Sequence, residues 1–316
     1  MKMRAVHLLR QLPASQRTEP ADRGTAMAFD EGLTRRDLLK GAAGLAGAAA
    51  LSGSILSACG GSGETTASPS ASAAPKKGGH IMSGVSGGST KDELDAHTAY
   101  RTVPQIGMQW QLYDSLLGFD PDHKMIYLLA DSYEASGDAL VHTVRLKPDL
   151  VFHDGKTVTA DDVVSSYKRI LDPKTVAAGA DLLRDLSPSG IKKIDDLTVS
   201  FTLDKPNAIF WESLAFFCNA IVPEGYKPNV GDGLIGTGPW IMQNYAPGER
   251  AVFKANPNYW GEGPYADELS MIQYADATAR LNALLDGSVD HIELVESAQT
   301  PVVEGESDLV LLQAKS

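Results

Sequence analysis

Cysteine is almost absent from this chain: 316 residues hold two, Cys59 and Cys218. Cys218 lies in the apolar run LAFFCNAIV, where a thiol packs as a small hydrophobe and is poorly placed to be a nucleophile. Positive charge is also scarce. The chain has 28 Lys and Arg against 40 Asp and Glu, a net charge of −12. From Cys59 onward the balance is 20 against 35, a net −15. An acidic body without a basic stripe repels phosphates, which excludes a nucleic-acid partner. No apolar run after Cys59 is long enough to span a bilayer. No HExxH or P-loop pattern occurs, and this removes the commonest signatures of zinc-dependent and nucleotide-dependent enzymes. His80, His97, His123, His142, His153 and His291 are scattered without HxxxH spacing, so no metal or other cofactor is expected. His153 and Asp154 are adjacent. On a strand such neighbours point to opposite faces, so they make a poor catalytic pair.

One stretch of the chain is low in charge and rich in small residues. TRRDLLKGAAGLAGAAALSGSILSAC runs from Thr34 to Cys59. Paired Arg35 and Arg36 open it, an uncharged Ala/Gly-rich segment follows, and small residues precede the cysteine. The order is that of a secretory leader. The opening resembles a twin-arginine export motif, and Leu56-Ser57-Ala58-Cys59 resembles a bacterial lipobox. Residues 1–58 are therefore expected to be an N-terminal extension with a signal peptide. Met27 is an alternative start. Cleavage would leave Cys59 for lipidation, and more than one acyl chain anchors a protein stably, each methylene adding about 0.8 kcal/mol. That use of Cys59 leaves Cys218 without a disulfide partner. Residues 59–78 are rich in Ser, Ala, Gly, Thr and Pro, cannot bury a core, and read as a tether.

Beyond the tether, strands and helices alternate without a repeat, which implies an α/β body. His80–Val85 reads as a first strand. A helix is expected over VPQIGMQWQLYDSLLGF, with Ile106, Trp110, Tyr113, Leu116 and Leu117 on its apolar face. Thr159 is a candidate N-cap with Asp162 reaching back to it, and Val163, Val164, Tyr167 and Ile170 form the buried side of the helix that follows. The acid pairs Asp161-Asp162 and Asp195-Asp196 are accounted for by that cap and by a turn. Val199, Phe201 and Leu203 share one face of a strand. Phe210, Trp211, Phe216 and Phe217 are expected to be core. Pro247-Gly248 turns a hairpin, and Asp276 or Thr278 starts a helix that stops near Gly287.

Several blocks carry a resemblance. LYDSLLGFDPDHKMIYLLADSYEASGD, HTVRLKPDLVFHDGKTVTADDVVSSYKRILDP, GTGPWIMQNYAPGERAVFKANPNYWG and DATARLNALLDGSVD occur in this order. Together they resemble the family 5 extracellular solute-binding proteins, the peptide- and nickel-type binding components of ABC importers. The resemblance implies an α/β fold of the periplasmic-binding-protein-like type II, peptide-binding class, with two lobes closing on a ligand. It also implies reversible binding of a peptide or similar small solute, delivery to a membrane permease, no catalysis, and a place outside the cytoplasm. The expected division is a first lobe over residues 79–295 and the start of a second over 296–316, with most of the second lobe absent. Family ligand contacts carry over to Tyr100 and Thr102 after Leu94-Asp95-Ala96-His97, to Gly179 beyond the LDP stretch, and to Thr237 and Gly238 in GTGP. Two rival readings are a non-functional truncated remnant of such a protein and a tethered extracellular hydrolase.

Overall fold

The computed structural model describes residues 6–10, 76–120, 122–228 and 234–313. Arg35, Arg36 and Cys59 lie outside the described residues, as does most of the expected tether.

Two sheets organise the body. The first has seven strands: β1 (Val6–Arg10), β2 (His80–Ser86), β9 (Trp240–Ala246), β10 (Arg250–Ala255), β11 (Glu268–Tyr274), β12 (His291–Ile292) and β13 (Leu309–Gln313), in the order β13-β1-β12-β2-β11-β10-β9. Strand β2 is parallel to both its neighbours, with His80 opposite Glu268 on β11 and Ser83 opposite His291 on β12. The remaining pairs are antiparallel. The second sheet has four antiparallel strands, β5 (Ala130–Ala135), β6 (Val141–Leu146), β7 (Leu186–Asp195) and β8 (Thr198–Leu203), in the order β5-β6-β8-β7. A short hairpin of β3 (Leu117–Phe119) and β4 (Met125–Tyr127) lies beside them in the chain. Among the described residues the helices are α1 (Val103–Leu112), α2 (Ala160–Leu171), α3 (Phe210–Ala215), α4 (Ala277–Leu285) and α5 (Thr300–Glu304), with one 3₁₀ turn at Ala180–Leu183.

Each layer buries the residues that the alternation of its pattern dictates. On β8, Val199, Phe201 and Leu203 face inward and meet Val163, Tyr167 and Ile170 of α2. The Tyr167 and Phe201 rings pack edge-on at 5.0 Å, a geometry favoured by the ring quadrupoles. Helix α2 begins as its sequence predicts: the Asp162 carboxylate accepts from the Thr159 N–H at 2.8 Å and the Thr159 hydroxyl at 2.9 Å. Helix α4 begins at Asp276, whose carboxylate accepts from the Ala279 N–H at 2.8 Å. Its Leu281 and Leu284 pack with Val289 and Ile292. The hairpin of β9 and β10 turns at residues 247–249, also as predicted.

Helix α1 differs from its expectation in length and in facing. It stops at Leu112, because Tyr113 adopts an extended backbone (φ −130°, ψ 145°), and the chain then enters β3. Its buried positions are Gln105, Met108, Gln109 and Leu112, which pack towards β9–β11, whereas Trp110 is 57% exposed. Two glutamines can be buried because each amide finds partners. Gln105 accepts from the Arg101 N–H and donates to the Glu93 carbonyl, and Gln109 donates to the Asp95 carbonyl. These hydrogen bonds offset the desolvation of the Gln105 amide and of Gln109 Nε2, whereas Gln109 Oε1 is buried without a partner.

Candidate binding face

The motif Leu94-Asp95-Ala96-His97 is a structural staple. The Arg169 guanidinium, from the last turn of α2, grips the Asp95 carboxylate with two hydrogen bonds of 3.0 and 2.6 Å. It also donates to His97 Nδ1 at 2.7 Å. His97 Nε2 then donates to the Ala220 carbonyl at 2.9 Å, so the ring is a neutral Nε2–H tautomer, assigned from its partners. Burial holds the His97 pKa down at about 4; Arg169 lowers it further, against the raising effects of the Ala220 carbonyl and Asp95. The Asp95 carboxylate also accepts from the His97 N–H at 2.9 Å. Three segments, residues 94–97, the end of α2 and the chain at Ala220, are thus locked together.

From that staple the chain emerges with Tyr100 44% exposed. Its ring meets Phe217 at 5.6 Å, and Phe217 meets Trp110 edge-on at 5.8 Å and Phe216 at 4.9 Å. Val103 stands seven residues before Trp110, hence on the same side of α1, and is also exposed. The result is an open aromatic shelf on an acidic protein. Clustered exposed apolar groups mark binding surfaces, whereas single ones do not.

The other candidate residues divide. Thr102 sits at the N-cap of α1 and its hydroxyl donates to Asp92 at 2.6 Å. Gly179 lies on the segment beside the Tyr100 loop: Ala177 bridges Thr98, and the Ala178 N–H donates to the His97 carbonyl at 2.9 Å. A Cβ at Gly179 would lie 1.7 Å from Asn219 Oδ1, so glycine here serves close packing. Thr237 is buried, and its hydroxyl donates to Asp114 at 3.0 Å, to the oxygen that also accepts from Trp260 Nε1 at 2.9 Å. Burial raises the Asp114 pKa, against the lowering effects of Trp260, Thr237 and Lys147. Gly238 donates to the Leu112 carbonyl at 3.0 Å, and its own carbonyl accepts from His153 Nε2 at 3.0 Å and Asn256 Nδ2 at 2.9 Å. A Cβ there would lie 2.5 Å from the Gln111 carbonyl oxygen, so this crossing touches the end of α1 through backbone alone. The structure therefore brings Tyr100 and Gly179 to one loop cluster. Gly238 packs on Gln111 and Leu112 at the end of α1, just after Trp110, and Thr237 bonds Asp114 two residues beyond the helix.

Trp110, expected in the interior, is exposed, and Phe217, expected in the core with Phe210, Trp211 and Phe216, is half-buried like Trp211 and Phe216. The signal that marks Trp110 is phase: it falls outside the 105-108-109-112 set, which becomes visible only once the two glutamines are counted as buried. His153 is a neutral strut between the VFHDG corner and the GTGP crossing. Its Nδ1 accepts from the Gly236 N–H at 3.3 Å, and burial lowers its pKa. Burial likewise pushes the Cys218 thiol up to about 12, so it carries no thiolate at neutral pH. Among the described residues, no three His, Cys, Asp or Glu side chains are grouped to hold a metal ion. A small pocket beside Tyr226 and Lys227 includes none of the candidate residues.

A mixed α/β lobe of this topology has the periplasmic-binding-protein fold. Its overlay on the structure of the binding protein AgaA from A. tumefaciens R10, solved with agropinic acid, has a TM-score of 0.66 and 31% identity, covering 72% of this chain and 46% of that one. Residues 124–316 match the family described as bacterial extracellular solute-binding proteins, family 5. The chain belongs to that family, whose members bind solutes and are not catalysts. Among curated relatives it is 29% identical over 234 residues to a glutathione-binding protein GsiB of Pectobacterium atrosepticum, covering 72% of this chain and 45% of the relative. It is 33% identical over 204 residues to di/tripeptide-binding protein 2 of Pseudomonas aeruginosa, covering 55% of this chain and 37% of the relative. The chain spans less than half the length of these relatives.

Proposed function

We propose that this chain supplies one lobe of the substrate-binding component of an ABC importer, and that its ligand is a di- or tripeptide or a glutathione-like solute passed to a membrane permease. The observation that carries the reading is the shelf of Tyr100, Trp110 and Phe217, held by the Asp95–Arg169–His97 staple. The relatives' names supply the ligand class. Residues 79–295 form the first lobe in this reading, and residues 296–316 lead towards the second while Val303 still packs with Leu281 and Leu284 and β13 still pairs with β1. Tyr100, Thr102, Gly179, Thr237 and Gly238 border the ligand space, with Thr102 and Thr237 acting through their hydrogen bonds to the Asp92 and Asp114 carboxylates. Ligand contacts shared by two lobes would favour a closed state by population shift.

Thermal unfolding of the full chain against dipeptides, trialanine and glutathione tests this. A bound solute at a hundred times its dissociation constant adds about 2.7 kcal/mol to stability. Trp110→Ala should reduce that gain sharply while the unliganded protein stays folded, since the side chain is largely in solvent. A panel in which no solute raises the melting temperature would remove the reading. Turnover of a peptide or ester substrate would favour the hydrolase instead.

We further propose that the protein is exported by the twin-arginine route and held to the outer face of the membrane by lipid on Cys59; cleavage before Cys59 would remove β1, so the pairing of β1 with β12 and β13 belongs to the uncleaved chain. Support comes from the order of Arg35-Arg36, the uncharged segment and the Leu56–Cys59 motif. Cell fractionation should find the wild type with membranes and Cys59→Ser in the soluble extracytoplasmic fraction. An identical distribution of the two would exclude the lipid anchor.

A further inference from the structure

We propose that Val176 is a specificity-determining contact: a strained turn holds its isopropyl group out towards the ligand and selects solutes with an apolar side chain. This rests on the solute-binding reading above.

Among the described residues, four non-glycine residues have left-handed backbones: His123, Ala139, Asp149 and Val176. Asp and His tolerate that region better than most residues. Ala139 lies in a tight hairpin closed by its N–H to the Ser136 carbonyl at 2.8 Å. Val176, at φ 50°, is the β-branched member, and for a β-branched residue the left-handed region is a genuine outlier. Strain of this kind persists only where the surroundings over-determine the backbone, and here they do. Before Val176, the Thr175 N–H closes a turn onto the Asp172 carbonyl at 2.9 Å. After it, Ala177 bridges Thr98 and the Ala178 N–H reaches His97, itself fixed by Arg169.

The side chain recovers nothing within the described residues for this cost. Val176 is 73% exposed, the highest among the large hydrophobic residues left in solvent, and it belongs to no core cluster. Glycine or asparagine would meet the backbone requirement with less strain and no exposed apolar surface. A residue that is unfavourable in both conformation and solvation gains its compensation from a contact outside the lobe's own packing. The bridge of Thr98 to Ala177 is antiparallel, so the residue after Val176 is paired two positions before Tyr100. The turn that carries Val176 is thus tied to the segment leading into the aromatic shelf, where Tyr100, Phe217, Trp110 and Val103 are also apolar and partly or largely open. A wall so lined desolvates a charged group without pairing it, and rewards a hydrocarbon side chain.

Calorimetric titration of the full chain with trialanine, Ala-Leu-Ala and Ala-Glu-Ala, together with thermal unfolding, tests this. The wild type should bind Ala-Leu-Ala at least about tenfold tighter than Ala-Glu-Ala, the discrimination that small apolar differences afford in a pocket. Val176→Gly should raise the melting temperature by about 2 °C through relief of strain and cut the preference to about threefold or less. Val176→Asn, which keeps the left-handed turn, should lose the preference in the same way. If Val176→Gly is stabilised but keeps the full preference, strain and selection are unconnected and the inference falls. A lowered melting temperature in Val176→Gly would also overturn it, because no strain would then be stored there. A wild type that binds all three peptides alike overturns the inference alone, whereas one that binds none also removes the solute-binding reading.

Discussion

Asp95→Ala is expected to lower the unfolding free energy by about 3–5 kcal/mol, the usual cost of removing one partner of a buried ion pair. The Asp95 side chain is 5% exposed and that of Arg169 23%, so the pair is far from the surface regime, where such pairs contribute about 0–1 kcal/mol. The substitution leaves a half-buried guanidinium beside the His97 ring and over the face of Tyr226, 5.3 Å from its centroid. It also removes the acceptor of the His97 N–H. Urea unfolding of the two proteins measures the difference. The double variant Asp95→Leu, Arg169→Met should recover much of the loss, because what destabilises is the uncompensated charge more than the missing attraction. A loss below about 1 kcal/mol for Asp95→Ala would show that the staple behaves as a solvent-screened surface pair.

Stability is expected to fall as pH drops from about 6.5 to about 4, with His97 contributing about 3 kcal/mol of the loss. The direction follows from which state takes the proton. Folded, the ring is buried and its pKa is about 4, against an ordinary value of 6.5. In that window the unfolded chain binds a proton that the folded chain refuses, so acid favours unfolding. The contribution is complete above about 6.5, is lost progressively on the way down, and does not fall further below about 4. His142 and His153 are also shifted down by burial and act in the same sense. Protonation would also put a donor at His97 Nδ1, where Arg169 already donates at 2.7 Å, so the staple and the loop carrying Tyr100 should be the first casualties. Denaturation midpoints measured at intervals from pH 7.5 to 4 check this. A flat profile across that range would mean that His97 is solvated in the folded protein.

Much of the lobe was legible in local sequence because its signals are local. Thr159 with Asp162, Asp276 with Ala279, and the Pro247-Gly248 turn each depend on residues within three positions of one another, and each formed as its chemistry dictates. The alternation in Val199, Phe201 and Leu203 likewise fixes a face with no outside information. Helix α1 was misread because its buried face carries Gln105 and Gln109. A polarity pattern assigns glutamine to solvent, and only the carbonyls of Glu93 and Asp95, supplied by a separate loop, make burial affordable. That error moved Trp110 inward. Phe217 was misread for a related reason. Its neighbours Phe210, Leu214 and Cys218 are core, and nothing in LAFFCNAIV shows that the chain leaves α3 so that Phe217 meets Tyr100 and Trp110. The roles of His97 and His153 as neutral struts were also invisible, since their partners are carbonyls far along the chain.

The parallel setting of β2 has a consequence for how the protein is made. Its partner β11 follows far downstream: the Gly79–Asp267 hydrogen bond at the start of this pairing spans 188 residues. At translation rates of about 5–20 residues per second, β2 waits roughly 10–40 seconds before a partner on either side leaves the ribosome. Contacts that distant are slow to close and leave an unpaired edge open to misassociation meanwhile. A nascent chain of this design needs shelter during synthesis, and the lobe cannot be sealed until translation has passed residue 274.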